Sequence, residues 1–124
     1  ARSYIEQLEV ESDYSRIGTL NRMFHMTLYY RAHNKRLLKL VEDGLNEEER
    51  FLRFNLKHMG LGKLSQDDHR QLLLTAEAGD VDATVSALAH HLNRGVEAIN
   101  TYLKSRPAEV TRPATASRKR ALAQ

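Results

Sequence analysis

Four side chains of this chain have the chemistry and spacing to bind a divalent metal ion: Asn21, His25, His69 and His91. A neutral imidazole presents a nitrogen lone pair, and histidine is the commonest metal ligand near neutral pH. Asn21 and His25 stand four residues apart within a helical apolar pattern. They are therefore expected on one face of a helix, about one turn apart.

The spacing of the other two histidines predicts that they meet across a helical hairpin. His69 lies ten residues before Gly79, and His91 lies eleven residues after Asp80. The Gly79-Asp80 pair is typical of a tight turn between helices, and both histidines would then lie about 16 Å from it at a rise of about 1.5 Å per residue. If both face inward, three imidazoles and an amide oxygen converge on a metal site with room for a further ligand.

Each of these residues also has a simpler interpretation. A lone histidine on an apolar face, such as His25 or His91, is more often hydrogen-bonded within the core, and Asn21 could be an ordinary buried polar residue. A histidine in the first turn of a helix, as predicted for His69, means little alone. Together, however, they would leave several buried polar groups unsatisfied unless one cation binds them all. His33 and His58 are expected at the surface, and His90, rotated by about 100° from His91 around the helix, is expected to point elsewhere.

The elements that position these residues are predicted to be five helices without a strand, forming an antiparallel bundle. Apolar residues at i, i+3 and i+4 spacing predict helices over residues 3–12, 14–32, about 36–56, about 66–78 and 81–104. Asp13 and Asp80 are expected N-caps, and Gly79 suits the left-handed position that ends a helix.

Three details of this prediction concern polar segments. Residues 57–64 hold two glycines and are expected to form a loop, with Ser65 and Asp68 approximating a capping box for the fourth helix. The acidic run at residues 47–49 is interpreted as a solvated face. Asp68 should point away from His69 around the helix.

Composition is consistent with one soluble domain. At 124 residues the chain is long enough for a single core, and 41% of its residues are hydrophobic and 28% charged. The absence of cysteine excludes disulfides and thiolate metal sites. No apolar run approaches the roughly 18 residues of a membrane span, and no signal-peptide pattern opens the chain, so a cytoplasmic location is expected.

The net charge of +3 resides in the C-terminal segment. Residues 105–124 carry five basic residues and one acidic residue, whereas residues 1–104 carry 14 basic and 15 acidic residues. The segment contains both prolines and lacks apolar periodicity, which predicts a disordered basic tail after a domain over residues 1–104. Its Arg118-Lys119-Arg120 cluster could touch nucleic acid, although solvated basic tails are common.

Several motifs together resemble the FCD domain, the C-terminal effector-binding domain of FadR-subfamily GntR transcription regulators. They are an Asn followed after two residues by Phe-His (Asn21 to His25), Asn34 nine residues later, Asp68-His69, Ala76 with Gly79-Asp80, and His91-Leu92. The resemblance covers roughly residues 8–104. It is specific because of the joint spacing, since any single element would be weak.

The resemblance implies an all-α, antiparallel FCD-type bundle that binds a divalent metal, zinc or nickel above all, through Asn21, His25, His69 and His91. It further implies a small organic acid as effector, a homodimer, and control of DNA binding by an N-terminal winged helix-turn-helix domain. An Asn at the first position departs from the commoner Asp, and a neutral amide oxygen is a weaker ligand than a carboxylate.

Two further departures concern the extent of the chain. Against the family pattern it lacks the winged helix-turn-helix domain and the first helix of the bundle, which often supplies basic residues for the effector. The arginines that could pair with an acid are Arg22, Arg50, Arg53 and Arg94. A surface ion pair is the more common role for each.

Three hypotheses of different classes remain. The favoured one is an effector-sensing, non-enzymatic domain of a transcription regulator. The second is a small helical metalloenzyme such as a metal-dependent hydrolase, since a three-histidine site with an open position can activate water. No obvious general base adjoins the ligands, however. The third is a metal-free helical interaction module with buried histidines.

Overall fold

The computed structural model describes residues 1–59 and 62–105 of the chain. Within these ranges the chain forms five helices and no strand, which confirms the predicted all-α bundle. The helices are α1 (Arg2–Val10), α2 (Tyr14–Tyr29), α3 (Lys35–Met59), α4 (Gly62–Glu77) and α5 (Val81–Ser105). Almost all of the predicted basic tail lies outside the described residues, so its disorder stays a prediction.

Helix ends follow the predicted capping residues closely. The Asp13 side chain accepts a hydrogen bond from the Ser15 amide at the start of α2. The Asp80 side chain accepts one from the Ala83 amide, 2.9 Å away, at the start of α5. The Asn34 side chain, between the second and third predicted helices, accepts one from the Leu37 amide and so caps α3.

Two predicted boundaries were wrong. Helix α2 ends at Tyr29 rather than near residue 32. The described residues of the loop predicted over residues 57–64 are helical, because α3 continues to Met59 and α4 already begins at Gly62. Residues 60 and 61 lie outside the described residues. Ser65 therefore lies inside α4 and cannot be its N-cap. Glycine lowers helix propensity by about 1 kcal/mol but does not forbid a helix, so two glycines were a weak signal for a loop.

The bundle is held together by two helix pairs. Helix α2 packs along α3, α4 packs along α5, and α1 lies against both α2 and α4. Four buried apolar residues form a cluster between α1, α2 and α4. They are Ile5, Phe24, Leu72 and Leu73. Packing between α3 and α5 is sparse by comparison, which leaves space between the two pairs.

The turn between α4 and α5 fixes how these two helices align. Gly79 has a φ of 71°, in the left-handed region that favours glycine. Its amide donates to the Ala76 carbonyl, and the Asp80 amide donates to the Thr75 carbonyl. These two hydrogen bonds form a Schellman motif, which satisfies the last carbonyls of α4 and directs the chain straight into α5.

Replacing Gly79 with Ala is expected to lower the free energy of unfolding by about 1–2 kcal/mol, because an L-residue is strained in the left-handed conformation. Gly44 provides the matched control. It lies within α3, and a Cβ there would meet nothing within 4 Å, so Gly44→Ala should stabilise by about 0.5–1 kcal/mol. Urea denaturation of both variants measures the difference; equal effects would contradict the role of the turn.

Candidate metal centre

Three histidines from three different helices converge inside the bundle. His25 belongs to α2, His69 to α4 and His91 to α5. The ring centroids of His69 and His91 are 4.6 Å apart, and those of His25 lie 5.2 Å from His69 and 5.1 Å from His91. One potential ligand atom from each residue can be chosen so that all three lie within 4.8 Å of one another. The hairpin register predicted from the sequence is thus confirmed for His69 and His91.

Each of the three rings has an oxygen atom near its Nδ1. His69 Nδ1 lies 3.3 Å from the Gln66 amide oxygen, and His25 Nδ1 lies 3.4 Å from the Tyr29 hydroxyl. His91 Nδ1 faces the Asp68 carboxylate at 3.6 Å. An oxygen at Nδ1 favours the tautomer that carries its proton there, which leaves the lone pair on Nε2. His69 and His91 are therefore prepared to offer Nε2 to a common ligand, whereas the Tyr29 hydroxyl can either donate to His25 Nδ1 or accept from it.

His69 Nε2 shows most directly that the site suits a cation. His69 is 0% exposed, and among the described residues Nε2 has no hydrogen-bond partner. A buried nitrogen lone pair without a partner is unfavourable, and native proteins rarely tolerate one. A cation coordinated by Nε2 would remove this cost, so the donor set fits a divalent metal such as zinc or nickel.

The histidines are held in the neutral form that metal coordination requires. Burial, reinforced by the nearby His91, lowers the pKa of His25 to about 3. Burial lowers the pKa of His69 to about 2, with smaller contributions from the other two histidines. The pKa of His91 is also lowered by burial, although the Asp68 carboxylate opposes this effect.

Asn21 occupies the position expected from the helical spacing. It lies one turn before His25 on α2, is 7% exposed, and lines the same cavity as His91. His90, which was expected to point elsewhere, is exposed, as are His33 and His58. Asn21 and His91 therefore line one cavity, and the ring centroids of His25 and His69 lie 5.1 and 4.6 Å from that of His91. The exposed histidines lie elsewhere.

Asp68 does not point away from the site, so this prediction was wrong. Its carboxylate accepts a hydrogen bond from Arg94 at 2.6 Å and faces His91 at 3.6 Å. Asp68 lies on the side of α4 that packs against α5, where a carboxylate can reach both residues of the neighbouring helix. Asp68 thus orients His91 through Nδ1, and Arg94 holds that carboxylate in place.

A cavity of about 690 Å³ adjoins the histidines. Its two long walls come from α3 and α5, and shorter contributions come from the other three helices. The lining is largely apolar, with polar groups at the end near the histidines. The polar and charged lining residues are Asn21, Glu47, Glu48, Gln66, Asp68, His91 and Arg94.

Of the four candidate arginines, one lines this cavity. Arg94 does so while paired with Asp68. Arg22 forms a half-buried ion pair with Glu49 at 2.8 Å, and Arg53 reaches the same carboxylate at 3.5 Å. Arg50 pairs with Glu47 in an exposed i,i+3 contact.

The acidic run on α3 is not a uniformly solvated face, which corrects the sequence interpretation. Glu47 is exposed, but Glu48 and Glu49 are half-buried. Glu49 lies where α3 approaches α2 closely, because a Cβ on Gly18 would come within 3.2 Å of the Glu49 carbonyl oxygen. Its carboxylate accepts hydrogen bonds from Thr19 and Arg22 across that contact. Glu48 faces the cavity.

Comparison with known proteins identifies the family. The FCD domain family matches residues 1–94. The chain belongs to this family. A solved structure described as a transcriptional regulator, GntR family member, from Pseudomonas syringae pv. tomato str. DC3000 is 68% identical, with a TM-score of 0.79. That match covers 84% of this chain. No curated protein matches the chain.

The FCD domain described here spans 44% of the length of that GntR-family structure. The resemblance inferred from the Asn-Phe-His and His-Leu motifs is thus confirmed, both by the family match and by a close structural relative. Within the described residues, the helices of this FCD domain are too short or too polar to cross a membrane.

Lowering the pH is expected to destabilise the metal-free FCD domain. The folded-state pKa values of His25 and His69, about 3 and about 2, lie below the value of about 6.5 of an unfolded chain. The unfolded state therefore binds more protons, and stability, complete above about pH 6.5, is lost as the pH falls. The expected loss is about 1 kcal/mol per pH unit for each of these two histidines.

Urea denaturation of chelator-treated protein at a series of pH values between about 7.5 and 5 measures this dependence. His33→Ala serves as the control, since His33 is exposed and lies outside the cluster of three buried histidines, so the pH dependence should persist in this variant. A free energy of unfolding that stays constant over this range would show that the buried histidines are protonated as easily as exposed ones.

Proposed function

We propose that this FCD domain senses a small organic acid through a divalent metal ion and thereby controls a GntR-family transcription regulator. The observation that carries the proposal is the convergence of His25, His69 and His91 beside a large cavity, with the buried His69 Nε2 lacking a partner. Membership of the FCD family and the GntR-family relative support the regulatory role. The DNA-binding part would be an N-terminal winged helix-turn-helix domain of the full-length protein.

The proposed metal ligands are Asn21, His25, His69 and His91. Three imidazoles and one neutral amide oxygen suit zinc or nickel better than magnesium or calcium, which prefer oxygen ligands. When bound, such an ion would supply positive charge and one or two open positions for a carboxylate. Asp68, Gln66 and Tyr29 fix the three rings, so the chain contributes a preorganised donor set.

The cavity geometry suggests how binding could be transmitted. Helices α3 and α5 form its long walls and pack only sparsely on each other. An acid held between them would favour whichever relative arrangement of the two helix pairs fits it best. Such a ligand shifts the equilibrium between two arrangements only by as much as it binds them unequally.

We also propose that the domain acts as a homodimer. Several large apolar residues of α3 and α5 that do not line the cavity remain more than half exposed: Leu37, Leu40, Val81 and Val85. Contiguous exposed apolar surface often marks an interaction site. Sedimentation of the purified chain tests this, and a monomer at all concentrations would refute it.

Replacing His25, His69 or His91 with Ala is expected to abolish stoichiometric metal binding, because each variant removes one of three converging nitrogen ligands. Elemental analysis of the purified proteins by mass spectrometry measures the metal content. His90→Ala is the matched control, since it removes an exposed imidazole next to His91. Undiminished metal in the three variants would refute the site, and a metal-free wild type would favour a helical interaction module.

Small carboxylic acids are expected to raise the melting temperature of the metal-loaded wild type, and to have no effect after chelation. A ligand at a hundred times its dissociation constant stabilises the folded state by about 2.7 kcal/mol, which thermal-shift assays detect easily. Equal stabilisation with and without chelator would remove the metal from the proposed mechanism. Turnover of an acid derivative by the loaded protein would instead support a metalloenzyme.

A further inference from the structure

Glu48 is a charged side chain of the cavity wall that the metal site does not use. It lies on α3, lines the cavity together with Asn21 and His91, and is half-buried. The sequence interpretation placed it on a solvated face. Its position therefore raises the question of which group balances its charge.

The other carboxylates near the cavity are all paired. Asp68 accepts a hydrogen bond from Arg94, and Glu47 pairs with Arg50 at the surface. Glu49 points towards α2 and pairs with Arg22. Among the residues that the structure describes, by contrast, none donates a hydrogen bond to Glu48 or forms an ion pair with it.

A half-buried carboxylate without a donor has lost part of its hydration and gained nothing in return. A ligand that brings a hydrogen-bond donor into the cavity would recover this cost, whereas a ligand that brings a second carboxylate would add repulsion between like charges. Arg94, the arginine of the cavity wall, is already engaged by Asp68. It is therefore poorly placed to neutralise a second ligand carboxylate.

We infer that Glu48 determines the specificity of the cavity, by selecting an acid with one carboxylate and a separate hydroxyl or ammonium group over plain acids and dicarboxylates. The inference rests on the proposed acid-sensing function. In this arrangement the carboxylate of the acid lies at the histidine end, and its donor group reaches the Glu48 carboxylate across the cavity.

The electrostatic environment of Glu48 agrees with this arrangement. Burial raises the pKa of its carboxyl, and no neighbouring cation opposes the effect. The same carboxylate contributes to raising the pKa of Tyr29, to about 12. Tyr29 is the residue whose hydroxyl contacts His25. The charge of Glu48 therefore reaches the Tyr29 hydroxyl from the α3 wall of the cavity, across from the α5 wall that carries His91.

The test compares acids that differ only at the end remote from the carboxylate. Butanoate, 4-hydroxybutanoate, 4-aminobutanoate and butanedioate form one set, and the corresponding six-carbon acids form a second set with a longer reach. Because the variable group is remote from the carboxylate, it could chelate the same metal ion only through a large, unfavourable ring. Isothermal titration calorimetry on zinc- or nickel-loaded protein measures each dissociation constant.

In at least one set, the wild type is expected to bind the hydroxyl or ammonium acid at least about tenfold more tightly than the plain acid and the dicarboxylate, a difference of about 1.4 kcal/mol. Glu48→Gln should abolish the preference for ammonium and improve binding of the dicarboxylate. It should retain part of a preference for hydroxyl, because the glutamine oxygen still accepts a hydrogen bond. Unchanged metal content and circular dichroism verify that the variant folds.

Glu97→Gln is the matched control, since it makes the same change at an exposed position of α5 outside the cavity lining. It should leave all dissociation constants unchanged. Acids that bind without regard to their remote group, or a preference that survives Glu48→Gln, would overturn the role of Glu48 and leave the acid-sensing function standing. Failure of every acid to bind the metal-loaded wild type would overturn both.

Discussion

Two histidines on neighbouring antiparallel helices meet only if the turn between the helices keeps them at the same height and facing each other. In this FCD domain that condition is met by Gly79, whose left-handed conformation lets α4 end and α5 begin without an intervening loop. His69 and His91 then lie with ring centroids 4.6 Å apart. The third imidazole, the orientation of the rings and the polar end of the cavity all depend on this alignment.

The burial of the three rings has a second role besides offering ligand atoms. Neutral imidazoles in a core need partners for both nitrogens, and oxygen atoms from Gln66, Tyr29 and Asp68 satisfy or face one nitrogen of each. Phe24, a member of the apolar cluster, packs against His25 and His69, with ring centroids 5.2 and 4.8 Å away. It therefore covers the histidine site on the side of that cluster. Polar and apolar neighbours thus restrict each ring to one orientation, which a metal site needs if it is to form without rearrangement.

Sequence patterns predicted the parts of this structure that depend on local chemistry. The caps at Asp13 and Asp80, the turn at Gly79 and the heights of His69 and His91 follow from residues near one another in the chain. The polar wall of the cavity does not follow from residues that are neighbours in the chain. A run of acidic residues carries no periodic signal, so the burial of Glu48 and Glu49 became visible only with the close approach of α3 to Gly18. The direction of the Asp68 carboxylate likewise depends on the position of Arg94, which lies on the other helix of the hairpin.

The apolar stripe of α5 shows another limit of such patterns. Its spacing correctly predicted a helix, and the residues were expected to face a core. Yet none of the described residues of α5 is fully buried, and Leu92, Val96 and Leu103 line the cavity instead. Periodicity reveals that a helix presents an apolar face. It does not reveal whether side chains, a ligand or another chain covers that face.

The tight α4–α5 turn also restricts how this domain can vary in evolution. His69 and His91 are separated by 22 positions, and a single insertion or deletion within either helical segment would rotate one histidine by about 100° relative to the other. Substitutions between them can accumulate as long as the helices persist, whereas a change in length destroys the convergence at once. Distant relatives that share this centre should therefore keep the interval between the two histidines even after most of the intervening residues have diverged.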